Sequence, residues 1–144
     1  MLARQYLWKA GLSYGHGTGH GVGHRLNVHE GPQNISPKLI NVPLEVGMVI
    51  SNEPGLYRKG EYGIRIENLV AVFEEATTIY GPFYTFEVLT LCPFERKLID
   101  VTLLDEQEIA MLNAYHGWVY SELSRGLNEE HKKWLAKATL PIEQ

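Results

Sequence analysis

Between Tyr14 and His24 five glycines alternate with three histidines, and His29 follows before Pro32, so that four of the chain's six histidines fall in one short stretch. Neutral imidazole is the commonest side-chain ligand for transition metals, and glycine lets a backbone turn sharply and approach a bound group closely. Such a density has the composition of half a metal site. His16 and His20 are four residues apart, as are His20 and His24, which on a helix would put each pair on one face. The interleaved glycines oppose that helix, and the residues read as an irregular loop that aims each histidine separately. The plainer alternative is a flexible, His-rich turn or a surface metal scavenger.

Hard or borderline divalent ions also take carboxylates. Cys92 is the single cysteine, so a thiolate cluster and an intrachain disulfide are both excluded. Two glutamates stand where rigid elements can hold them. Glu53 closes an apolar run before Pro54-Gly55, a costly place for a charge unless it is paired or ligated. Glu67 sits between Ile66 and Asn68 in a strand pattern, where an acid is disfavoured. The alternative for this pair is an exposed strand end at Glu53 and an ion pair of Glu67 with Arg65 or a cross-strand base.

The elements that would carry these residues follow from periodicity. Leu2, Ala3, Tyr6, Leu7 and Ala10 mark one face of a short helix with Gly11 as its stop. It begins without a cap or a preceding loop, as a piece of a longer chain would. A polar turn with Asn34, Ser36 and Pro37 follows Pro32. The run Met48 to Glu53 reads as a strand, Leu56 to Tyr62 as a hairpin connection, and Gly63 to Phe73 as the strongest strand. In that last run Ile64, Ile66, Asn68 and Val70 alternate with Arg65, Glu67, Leu69 and Ala71, which makes Arg65 and Glu67 neighbours on one face. Tyr84 to Leu89 is a further strand. From Asp105 the period becomes helical, with a capping box to Glu108 and a stop at Gly126, and a second amphipathic helix runs from Glu129 past Ala138. His116 and His131 read as surface residues of these helices.

Thirteen basic against seventeen acidic residues give a net charge of -4, without a basic stripe, which disfavours nucleic acid as a partner. There is no apolar run of membrane-spanning length and no signal-peptide pattern at the N-terminus, so no membrane partner and a cytoplasmic location are expected.

Four segments in order, His16-Gly-Thr-Gly-His-Gly-Val-Gly23, Asn27-Val-His-Glu-Gly-Pro32, Ser51-Asn-Glu-Pro-Gly55 and Gly63-Ile-Arg-Ile-Glu-Asn68, resemble the second half of the catalytic domain of Xaa-Pro aminopeptidases (aminopeptidase P). These are pita-bread metallopeptidases, akin to prolidase and methionine aminopeptidase. The resemblance implies an α+β fold: the second half of the pita-bread (creatinase/aminopeptidase-like) architecture, a curved antiparallel sheet with a helix, over residues 1–78. The last strand and a C-terminal helical pair of aminopeptidase P type would occupy 79–144. It implies His20, Glu53 and Glu67 as metal ligands, with Glu67 bridging two ions and Glu53 also serving as general base. It further implies His29 and His16 in catalysis and, with Arg65, in contact with substrate, and it gives His24 no role. The implied cofactor is a divalent metal, manganese before zinc or cobalt, and the implied substrate is a peptide with proline in second position.

The family's two-metal site has five side-chain ligands, two of them aspartates on a strand well before the histidine loop. The only aspartates of this sequence, Asp100 and Asp105, follow the bridging glutamate. With one imidazole and two glutamates, at most one weakly held ion is expected, and the chain by itself is expected to be an inactive part of the enzyme. Two other readings are a stand-alone metal- or peptide-binding or assembly module that pairs through its exposed sheet, and a piece of a prolidase-type dipeptidase. A homodimer, or association with the N-terminal half of the fold, follows from the same exposed sheet.

Overall fold

The structure is a computed structural model that describes residues 2–25 and 27–143. The chain divides after Thr90 into two compact units. In the first, a 3-10 turn (Leu2–Arg4) leads into the short helix α1 (Gln5–Lys9), which ends at Gly11 as expected. Its burial is the reverse of the expected pattern: Leu2 and Tyr6 are exposed, and the one buried residue is Arg4. Five residues are too few for helical period to outweigh a specific polar anchor.

Seven strands follow among the described residues: β1 (Gly19–Gly21), β2 (Glu30–Ile35), β3 (Val49–Asn52), β4 (Gly55–Arg58), β5 (Tyr62–Arg65), β6 (Asn68–Thr78) and β7 (Gly81–Val88). Five of them form an antiparallel sheet in the order β2-β1-β3-β6-β7, while β4 and β5 pair separately. Two of these strands, β1 and β2, fall where an irregular loop and a polar turn were expected. Glycine carries no period-2 signal, so β1 is invisible to sequence pattern. Its glycines are required by packing. A Cβ on Gly19 would stand 1.9 Å from the carbonyl oxygen of Ser51, closer than any side chain allows.

Register sets the two faces of the sheet. Gly21 lies opposite Ile50, and Ile50 opposite Val70, so this face holds the core of Ile50, Val70 and Val72 with Ile35, Met48 and Val88 packed on it. The other face therefore carries His20, its partner Asn34, and Ser51.

The expected single strand from Gly63 to Phe73 is broken in two. Asn52 pairs with Asn68 in the main sheet and Gly55 pairs with Arg65 in the small one, both in one register. That register places position 53 opposite 67 and 54 opposite 66, and the Ile66 amide does donate to the Pro54 carbonyl at 3.2 Å. Proline has no N–H to return, so the ladder opens there and the ribbon switches sheets. Glu53 and Glu67 thus face each other at the break, rather than Glu67 lying within a continuous strand.

The second unit holds α2 (Glu106–Leu123), a 3-10 turn (Ser124–Gly126) and α3 (Glu129–Ala138). The capping box of Asp105 and Glu108 is present, the Glu108 amide donating to the Asp105 carboxylate at 2.8 Å. Asn113 ties down the C-terminal segment, accepting from the Ile142 amide at 2.7 Å and donating to its carbonyl at 3.0 Å. No helix of the described residues is long and apolar enough to cross a membrane.

His131 is exposed, but His116 is not the surface residue its helical position suggested: it is fully buried. Its Nε2 accepts the Phe94 amide at 3.1 Å, which fixes the neutral form with the proton on Nδ1. Burial, and then the charge of Arg96, hold this imidazole below its ordinary value. The folded unit therefore takes up this proton less readily than the unfolded chain, and the stability it contributes is full above the ordinary value and is lost as pH falls through the folded one. Urea unfolding of the second unit should show a falling midpoint from about pH 7 to about pH 5. In His116→Gln that acid limb should flatten; an unchanged slope would assign it to other groups.

Candidate functional site

Five of the six expected site residues, His16, His20, His29, Glu53 and Arg65, line one open cleft of about 370 Å³, together with Asn34 and Ser36. Glu53 is its anchor. It leaves β3 just after the last paired residue, and its amide donates to the Thr18 carbonyl at 2.7 Å. The residue is only 7% exposed. Three partners surround it: Ser51 Oγ donates to Oε1 at 3.0 Å, His20 Nε2 lies 2.9 Å from the same oxygen, and Arg65 Nη1 lies 3.5 Å from Oε2. Ser51, itself fully buried, also accepts the His20 amide at 3.0 Å and so joins β1 to the carboxylate.

The His20 ring is oriented from both ends. Its Nδ1 lies 2.8 Å from the Gly21 carbonyl, an atom that can only accept, so the proton sits on Nδ1. In the neutral ring this leaves the Nε2 lone pair aimed at a carboxylate oxygen. Two electron-rich atoms at 2.9 Å attract only with a cation between them, either a second proton on the ring or a metal ion. Histidine ligands to metals are likewise oriented by donating the N–H that does not ligate to a backbone carbonyl, as Nδ1–H does here. The pair therefore fits a divalent cation, whose neighbouring nitrogen and oxygen ligands at about 2.0–2.2 Å stand roughly this far apart. It is not a closed site: no group of three or more His, Cys, Asp or Glu side chains among the described residues is placed to hold a metal.

His29 stacks near His20, the ring centroids 4.3 Å apart. His16 also lines the cleft. Its Nδ1–H donates to the Gly17 carbonyl at 2.6 Å, and its Nε2 accepts the Tyr57 hydroxyl at 2.7 Å. The same hydroxyl accepts Arg65 Nε at 3.0 Å, so one chain of contacts runs from His16 through Tyr57 and Arg65 to Glu53. Tyr57 first, and then the charges of Glu53 and Glu67, strengthen the hold of the Arg65 guanidinium on its proton. Glu67 acts on the site through that charge and through its register position, but does not line the cleft. His24 is exposed and also stands outside the lining.

Sequence reading missed Ser51 and Tyr57. Ser51 had a usable signal, since period 2 puts it on the face of Glu53. Tyr57 had none that separates it from Tyr62. Its ring fits because Gly55 leaves room: a Cβ there would meet the Tyr57 hydroxyl at 2.4 Å.

Residues 1–74 match the model of metallopeptidase family M24, and residues 82–142 match that of the C-terminal region of peptidase M24. An uncharacterized peptidase of Schizosaccharomyces pombe is 51% identical, over 99% of this chain and 25% of its own length. A protein of Aspergillus niger named "Probable Xaa-Pro aminopeptidase P" is 47% identical, over 99% of this chain and 24% of its own. This chain thus spans about a quarter of the length of these relatives. Among solved structures, an X-prolyl aminopeptidase of Caenorhabditis elegans, described as a cytosolic enzyme with a di-nuclear active site, superposes with a TM-score of 0.86 at 46% identity, covering 96% of this chain and 23% of that one.

Ser51→Ala should lower stability by about 1–3 kcal/mol, because it removes a hydrogen bond from a buried carboxylate and leaves the His20 amide without its acceptor. A chemical-denaturation midpoint equal to that of the parent would mean that Ser51 does not support Glu53.

Proposed function

The chain belongs to metallopeptidase family M24, with the α+β, curved antiparallel sheet of the second pita-bread half, and on that premise we propose that it is the part of an Xaa-Pro aminopeptidase that carries the histidine wall and two of the carboxylates of its metal centre. The observation that carries the proposal is the His20–Glu53 pair, whose facing lone pairs call for a cation. In this reading His20, Glu53 and Glu67 would be the ligands that this chain contributes to the metal centre, with Glu67 in the bridging role. Manganese is the proposed ion before zinc or cobalt, and cytosol the proposed location. The bound metal supplies Lewis-acid polarisation of the scissile carbonyl and a more acidic attacking water. Glu53, held in place by Ser51 and Arg65, is the proposed general base. His29 and His16 contact the substrate, and Arg65 fixes the carboxylate and the Tyr57 hydroxyl together. The substrate class is a peptide with proline in second position.

Taken alone, these 144 residues supply one imidazole and two carboxylates, too few ligands for a dinuclear centre. Calorimetric titration with Mn²⁺ should therefore show at most one weak site, lost in Glu67→Ala, and no release of the N-terminal residue from an Xaa-Pro peptide. Two tight sites, or turnover at the level of longer family members, would overturn this reading.

Association with a second copy or with an N-terminal half is the proposed partnership. Supporting it, β7 is an edge strand whose Phe83, Tyr84 and Phe86 are exposed, next to Phe73, Ile79 and Tyr80 of the same hairpin. An apolar edge with unpaired backbone groups is a template for further pairing. Sedimentation velocity should show self-association of the chain; a monomer at all concentrations would count against it.

A further inference from the structure

Arg4 is 5% exposed, and among the described residues no carboxylate lies within ion-pairing distance of it. A buried unpaired guanidinium is costly, so its contacts must compensate. They do so in one direction only, toward the loop that precedes the site. Nη1 donates to the Tyr14 carbonyl at 2.6 Å, Nη2 donates to the His16 carbonyl, and the guanidinium lies 3.8 Å over the Tyr14 ring. Tyr14 and His16 are separated by a glycine and followed by another, and glycine loses the most backbone freedom on ordering. Neither carbonyl belongs to a strand ladder. The planar fork of arginine can meet two such acceptors at once, which a lysine ammonium on its single stem does less well.

From there two paths lead into the cleft. The His16 carbonyl is part of the residue whose ring meets Tyr57. Tyr14, held by Arg4, shares a hydroxyl contact with Thr18, which is itself buried and whose carbonyl receives the Glu53 amide at 2.7 Å. We propose that Arg4 is a positioning residue of the candidate site, acting through the Tyr14 and His16 carbonyls to set the His16 ring against Tyr57 and to hold the Thr18–Glu53 junction. The proposal takes the site from the reading above, but its test needs neither metal nor substrate.

Nitrogen-15 spectra of the histidine rings at alkaline pH report which nitrogen carries the proton. In the parent chain His16 should be in the Nδ1–H form alone, as its contacts with the Gly17 carbonyl and the Tyr57 hydroxyl require. Arg4→Ala should lose that single form in favour of the mixture of free imidazole, and exchange of the Thr18 and Glu53 amides should quicken by about tenfold or more. Arg4→Lys should restore both in part. A role confined to stability would lower the unfolding midpoint and leave the tautomer of the folded molecules unchanged, and that result would overturn the proposal. Should Arg4→Ala not fold, Arg4→Lys decides alone: parent-like His16 and parent-like exchange refute positioning by the fork, and intermediate values support it. Absence of metal binding or turnover would bear on the family function and leave this outcome as it stands.

Discussion

The backbone of β1 lies so close to that of β3 that Gly19 has no room for a β-carbon beside the Ser51 carbonyl. This approach decides the rest of the first unit. It brings the His20 amide onto Ser51 Oγ, and Ser51 onto the Glu53 carboxylate, so one serine couples the imidazole strand to the acidic strand end. It also brings the Thr18 carbonyl to the Glu53 amide, which fixes where the acid leaves the sheet. A wider spacing would keep both strands and lose the pair.

Placing charge at that point has a cost that the surroundings offset. The ribbon of β3 with β6 and β4 with β5 keeps one register through a break at Pro54, and the break sets Glu53 opposite Glu67. Like charges across a ladder repel. Arg65 offsets part of this on one side, held in place by Tyr57, and His20 Nε2 meets the other carboxylate oxygen, with a ring proton or a metal ion between them. The chain belongs to a metallopeptidase family, and four side chains, His20, Ser51, Glu53 and Arg65, are gathered at this one point.

The second unit obeys a different logic. Its buried residues include Val119, Leu135 and Ile142 and one neutral imidazole, His116, whose acceptor nitrogen takes the place of a carbonyl for the Phe94 amide. Here a histidine serves as a core hydrogen-bond acceptor, whereas in the first unit His20 presents the same nitrogen to a carboxylate.

The sequence by itself determined the chemistry and much of the order of elements. The four motifs named five residues that do share a cleft, the capping box of Asp105 and Glu108 announced α2, a short β-rich run announced β3, and alternation announced most of β6 and most of β7. These signals are local, set by side-chain type and period within a few residues. Tertiary structure decided what depends on contacts between distant segments: that Gly19 to Gly21 is a strand, that Gly63 to Phe73 is two strands of one register, and that Arg4 and His116 are buried. Glycine has no side chain to alternate, and a switch between sheets leaves the period intact. A polar residue is read as exposed unless its distant partners, here the Tyr14 and His16 carbonyls or the Phe94 amide, are known to meet it.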